Sequence, residues 1–196
     1  MGSLACLHRP IVRLIIRKMF VMKHLLLVAM AAVILVSATF AQQEAAKPDA
    51  DHQKLNYFVG NWTTEGHMKP GLMGRGGKLT ITENTVWMDG GFFIITHSTV
   101  DAGAMGTSTE IAVMGYDSDE KIYTYDEFSS TGEVTRSKGT FKNDTWTWMN
   151  DMKMGSQTVK GRYTVKVLSP TSYSYKFEMS DGDKWNLVMD GKSVKK

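Results

Sequence analysis

The sequence predicts an all-β fold: about ten antiparallel strands in up-and-down order, closed into a barrel with one short N-terminal helix. Three observations carry this expectation. Apolar and polar residues alternate with period two through most of the chain beyond Phe58. Short clusters of Gly, Asp, Asn, Ser and Pro punctuate the alternation. After an opening segment that ends at Phe58, the helical period disappears.

The elements follow in order. Residues 42–50 (QQEAAKPDA) read as a polar linker before a single domain over 51–196. Asp51 to Phe58 then reads as one short helix, with Asp51 as N-cap and Leu55 and Phe58 on one face. His52 on this helix is expected to face solvent. Strands are expected at 62–69, 78–88, 91–100, 107–117, 121–128, 132–141, 144–150, 157–168, 171–180 and 184–190. The last long hairpin shows the pattern best. Val159, Tyr163, Val165 and Val167 alternate with Lys160, Arg162, Thr164 and Lys166. Tyr173, Tyr175, Phe177 and Met179 alternate with Ser174, Lys176 and Glu178. Trp146 and Trp148 share a face, with Thr145 and Thr147 opposite. Strands joined by tight turns make a meander, and closing a long meander removes its exposed edges. The charged faces and short loops argue for a soluble barrel over an outer-membrane one.

The N-terminus carries an expectation about location. From Met22, Lys23 and His24 precede the apolar run Leu25 to Val36, and Thr39-Phe40-Ala41 ends it with small residues. That is the order of a cleavable secretory signal over 22–41. The run is shorter than the roughly 20 residues that span a bilayer. The periplasm or the exterior is the expected location, with no stable membrane insertion after cleavage. Residues 1–21 precede a complete signal and read as an extension upstream of the true start, at Met19 or Met22. Residues 1–41 hold five of the 23 basic residues and none of the 20 acidic ones. The remainder carries 18 basic against 20 acidic side chains, so the whole-chain net charge of +3 becomes −2. Nucleic-acid binding thereby loses its electrostatic motive. Cys6, the single cysteine, leaves with the same segment, and thiol chemistry and thiolate metal sites leave with it.

Leu55-Asn56-Tyr57-Phe58-Val59-Gly60-Asn61-Trp62 opens the β region. A short helix leading into Gly-x-Trp resembles the opening of lipocalin-like and fatty-acid-binding-like barrels. With "TWTW" and "GYD", the segment more closely resembles a family of exported bacterial proteins known as a domain of unknown function. The resemblance covers roughly Asp51 to Lys196. It implies a calycin-related barrel, distantly similar to nitrobindin-type haem barrels, and it brings no assigned activity. Those haem barrels hold iron through a late histidine. No histidine follows His97 here, so that ligand does not carry over.

Candidate chemistry is sparse. Gly71 to Lys78 looks like a phosphate loop but has Leu72 and Leu79 where that motif needs Gly and Ser or Thr. It reads instead as a loop whose Leu72 and Met73 cap a barrel mouth. Met149, Met152 and Met154 crowd one hairpin. Thioether clusters bind Cu(I), but no histidine or cysteine supports one here. Glu83 falls in phase with Leu79, Ile81 and Trp87, and Arg136 with Val134. A lone charge on an apolar strand face marks a head-group contact inside a barrel or a residue at its rim. No catalytic triad, carboxylate pair or nucleophile elbow stands out, and an enzyme is not the expectation.

Aromatic load is the one feature with functional direction. Trp62, Trp87, Trp146, Trp148, Tyr163, Tyr173 and Tyr175 are the candidate walls of an interior site, with Trp185 and Phe177 on apolar faces beside them. Glu83 and Arg136 are its candidate polar contacts. The leading reading is an exported barrel that binds a small apolar or amphipathic molecule, with no cofactor. One alternative is a haem or metal barrel using His97, which follows Phe93 and Ile95 in phase. Another is a non-catalytic interaction module of the cell envelope.

Overall fold

The computed structural model describes residues 46–71, 73–180, 182 and 184–196. The signal expected over 22–41 and the extension expected over 1–21 lie outside the described residues.

The chain enters through helix α1 (Ala50–Lys54), which passes into a 3₁₀ turn over Leu55–Tyr57. The N-cap is Asp49, two residues before the expected Asp51. The Asp49 carboxylate accepts from the backbone N–H of Asp51 and His52 at 2.8 and 3.0 Å. The His52 ring turns back to Asp49, with Nδ1 2.8 Å from Oδ1. His52 is buried, contrary to the expectation of a solvated side chain. Its ring meets Phe92 and Tyr116 edge-on, so the capping position draws the imidazole under the barrel rim.

Ten strands follow: β1 (Gly60–Met68), β2 (Gly77–Trp87), β3 (Phe93–Asp101), β4 (Thr107–Asp117), β5 (Ile122–Ser129), β6 (Val134–Lys142), β7 (Thr145–Met154), β8 (Gln157–Ser169), β9 (Ser172–Ser180) and β10 (Trp185–Lys195). Each pairs antiparallel with its sequence neighbours, and β1 pairs with β10 to close the barrel. The all-β, up-and-down barrel expected from the alternation is the observed architecture. Two strands run longer than expected. β7 continues to Met154, because Met152 and Met154 stay in phase with Trp148 up to the turn at Gly155. β10 continues to Lys195 through Gly191 and Ser193, residues too small to signal a buried face but paired with Gly66 and Thr64 of β1.

The two ends differ. Where β1 begins, the helical segment plugs the barrel. Leu55 is fully buried, and the Phe58 ring packs against Trp146, Trp148 and Tyr173 at 5.2 to 6.1 Å. Hydrogen bonds fix the plug. Trp62 Nε1 donates to the Phe58 carbonyl at 2.8 Å. Tyr57 donates to the carbonyls of Ser169 and Ser172, and Tyr123 to that of Asp51. Burying these ring bodies supplies much of the driving force, and the polar tips find partners at the plug. The other end, where β1 finishes at Met68, has no such plug among the described residues and is called the open end below.

Candidate functional site

Register assigns each side chain to the inside or outside, because directly paired residues share a face. Trp62 pairs with Glu83, Glu83 with Ser98, and Ser98 with Glu110. Trp62 is buried inside the barrel, so the whole row faces inward. Glu127 pairs with the buried Ala112 and faces inward with Tyr125.

The interior divides into two halves. In the closed half, Trp62 (2% exposed), Trp146 (1%) and Trp148 (3%) pack ring against ring with Tyr123 and Tyr173. In the open half, the inward-facing Ile81, Glu83, Ser98, Tyr125 and Tyr163 keep solvent-accessible surface. The aromatic residues expected to wall a cavity thus serve two purposes. Trp62, Trp146, Trp148 and Tyr173 fill the closed half, while Tyr163 and Tyr175 reach the boundary of the open one.

The open half is chemically two-sided. Glu83, Glu110 and Glu127 stand on β2, β4 and β5. Met152, Met154, Val159, Tyr163 and Met179 stand on β7 to β9 across the barrel. The acidic groups have neutral hydrogen-bond partners. Thr64 and Tyr173 donate weakly to Glu83 Oε2 at 3.5 and 3.4 Å, and Tyr125 donates to Glu127 Oε2. Burial pushes the Glu83 carboxyl above its usual range, and the Tyr173 and Thr64 hydroxyls pull it partway back. Burial and then the Glu127 charge push Glu110 up to about 7. Burial likewise raises Glu127, opposed by the Tyr125 hydroxyl.

The open end has a recess of about 350 Å³, lined by Pro70, Gly71 and Met73 of the β1–β2 loop and by Val159, Met179 and Leu187 of the strands. Met73 stands where the sequence expected a mouth cap, and Leu72 lies outside the described residues. A second recess of about 470 Å³ lies over β3 to β5, lined by outward His97, Thr99, Ile111 and Phe128 and also by Ser98 and Glu110.

Comparison with known proteins now bears on the fold and the site together. Residues 47–195 match the family model described as "Protein of unknown function (DUF1579)". The chain belongs to the DUF1579 family. Among solved structures, this DUF1579 barrel is similar to Rv2717c from M. tuberculosis, with a TM-score of 0.52 and 12% identity. That match covers 76% of this chain and 98% of the other, and at such identity it speaks for the shared fold alone. No curated protein matches the sequence.

Several sequence-level site residues of this DUF1579 chain fall elsewhere. Arg136 pairs with Asp126 on the outer face and is exposed. The inner face of β6 is instead Ser137, Gly139 and Phe141, and the phase was misread because Val134, also outward, is apolar. His97 keeps phase with Phe93 and Ile95 as expected, but all three point outward, and the inner face is Ile94, Thr96 and Ser98. An axial ligand inside the barrel therefore cannot come from His97. Trp87 lies at the plugged rim, half-buried, with Nε1 donating to the Asn56 side chain at 3.1 Å. Trp185 is outside, its ring 4.2 Å from the Arg162 guanidinium. Arg162 in turn reaches Glu178 at 2.9 and 3.0 Å, and this screened triad explains a buried glutamate on an outer face. Met149 is exposed outside while Met152 and Met154 face in, so the hairpin methionines do not converge. Among the described residues, no group of three or more His, Cys, Asp or Glu is placed to hold a metal ion.

Glu83 was legible in the sequence. Glu110, Glu127 and Tyr125 were missed. Their signal was present: Glu127 alternates in phase with Tyr123 and Tyr125, and Glu110 with Ala112 and Met114.

Proposed function

We propose that this protein is an exported binding barrel that takes a small amphipathic molecule through its open end. One observation carries the binding reading: inward-facing Tyr125, Tyr163 and Glu83 are only partly buried while the aromatic side chains of the other half pack closed. Concave, largely apolar sites with a few placed polar groups are the usual form of small-molecule sites. The methionines on β7 to β9 suit such a wall, since a thioether side chain adapts to irregular shapes. Export rests on the n-region, apolar run and small-residue cleavage site over 22–41.

Native mass spectrometry of protein purified from its own host, with displacement of a lipophilic dye, tests the binding reading. A co-purifying small molecule or a displaceable dye is expected. A bare mass together with no dye binding overturns it. N-terminal sequencing of the secreted or periplasmic form tests export, with a mature start at Gln42 expected.

A further inference from the structure

The sign of the charge inside the open half is the observation that reaches further. Glu83, Glu110 and Glu127 face inward, and among the described strand residues no Lys, Arg or His occupies an inward position in that half; Lys69, which lines the recess at the mouth, lies 3.8 Å from Asp190. The one lysine at an inward register position, Lys195, lies over the Trp62 ring at the plugged end, 5.3 Å from its centroid. On the outside of the barrel the pattern is different: Glu120, Asp151 and Glu178 each have a lysine or arginine within ion-pair distance. The three interior carboxylates thus differ from these outer acids in having only neutral hydroxyl partners. Burying a charge without a counter-charge is costly, and such groups are retained where something pairs with them.

A second unpartnered polar group lies at the edge of the same half, over Gly66. The Tyr175 side chain is 96% buried, yet its hydroxyl has no hydrogen-bond partner. It faces inward, its ring is 5.8 Å from that of Tyr163, and it lies within the electrostatic field of Glu83. A phenol oxygen accepts as well as donates. Across the barrel, Met152, Val159, Tyr163 and Met179 offer an apolar wall.

Resting on the binding reading above, we propose that the ligand is a cationic amphiphile: an alkyl or aryl amine whose ammonium pairs with one of the inward acids Glu83, Glu110 and Glu127 while its apolar body lies on the methionine and tyrosine wall. The ammonium supplies the missing counter-charge and hydrogen-bond donors. Tyrosine faces add attraction for the cation. A fatty acid would instead bring a fourth carboxylate to three, with only hydroxyls to receive it. A metal ion is disfavoured because the acids stand on separate strands and do not converge.

The test is competition against a bound lipophilic dye by three probes of one chain length, dodecylamine, dodecanol and dodecanoate, near neutral pH and below their micelle concentrations. Dodecylamine is expected to displace the dye at concentrations about tenfold lower than dodecanoate, the equivalent of one charge-assisted contact. In the double variant Glu83→Gln, Glu127→Gln that ratio is expected to fall to about one with dodecanol displacement unchanged. Glu110→Gln, at the more accessible acid, gives the same reading if the double variant fails to fold. Equal displacement by amine and carboxylate, a preference for dodecanoate, or an amine preference that survives the substitutions overturns the inference and leaves the binding reading intact. Failure of every probe and of the dye overturns both.

Discussion

The indoles of Trp146 and Trp148 lie stacked on the inner face of β7, 5.5 Å between centroids and 7° between planes. Consecutive inward positions of one strand rarely both hold a side chain so large. Here Gly139 makes room: a Cβ at that position would come 2.5 Å from the Trp148 ring. Trp146 also meets Phe58, Tyr123 and Phe141, so it joins the plug to the barrel wall. Trp146→Ala is expected to cost about 3 to 5 kcal/mol, the range for emptying a buried aromatic site. Trp87→Ala, at the half-buried rim, is expected to cost about 1 kcal/mol. Urea denaturation followed by circular dichroism compares them, and equal costs would contradict the assignment of Trp146 to the packed half.

Gly66 and Gly191 face each other across the β1–β10 seam, and the Tyr175 ring lies over both. A side chain on residue 66 would run into the Tyr175 hydroxyl, with the Asp190 carbonyl oxygen 2.9 Å away and the ring carbon behind the hydroxyl at 3.2 Å. Gly66→Ala is therefore expected to destabilise by about 1 to 3 kcal/mol through overpacking. In a Tyr175→Phe background the cost is expected to shrink, because the hydroxyl is the nearest obstacle. A double-mutant cycle on chemical denaturation reads this coupling. Strict additivity would place Tyr175 elsewhere.

The plug depends on its cap. Asp49 satisfies two backbone N–H groups of α1, and that hydrogen bonding, foremost with the His52 backbone, holds its carboxyl down at about 2. Asp49→Ala is expected to lower the melting temperature, and Asp49→Asn to lower it less, since an amide oxygen also caps. Thermal melts of the three proteins at neutral pH check the order.

The sequence was readable where the two faces of a strand differ strongly. In β8 and β9, lysines alternate with tyrosines and valines, and the inward set is Tyr163, Val165, Tyr173, Tyr175 and Phe177, as the alternation indicates. In β3 and β6 both faces are mixed. Phe93 and Val134 are 43% and 51% exposed on the outside, while Thr96, Ser137 and Gly139 face in. Hydrophobicity alone then selects the wrong phase, and His97 and Arg136 were carried inward with it. Strand pairing resolves the ambiguity, because a residue must share the face of its partner. That information is non-local and has no trace in a single strand's composition. The division between a closed half and an open half belongs to the same class. It depends on where the plug sits relative to ten strands, which no local pattern contains.

Acid titration of the open half gives a signed prediction. Glu83, Glu110 and Glu127 all have carboxyls raised by burial, Glu110 to about 7 from 4.5. A raised carboxyl binds its proton more tightly in the folded protein than in the unfolded chain. The folded state is then favoured while the group is protonated, and stability falls as pH rises from about 4.5 toward and through the folded value. For Glu110 that window closes near 7. Asp49 acts in the opposite direction and lower down, its contribution being lost only as pH falls from 3.8 toward about 2. Urea midpoints are therefore expected to peak near pH 4 to 5, roughly where both effects are favourable, and to decline toward pH 8. Glu83→Gln and Glu110→Gln each remove a charge that forms only at a cost, so each is expected to raise the midpoint near pH 8 and leave it little changed near pH 4, roughly the pH at which the carboxyl is already neutral. A midpoint that rises steadily from acid to neutral pH, or glutamine variants that weaken the protein at high pH, would mean that these side chains meet a counter-charge in the folded state.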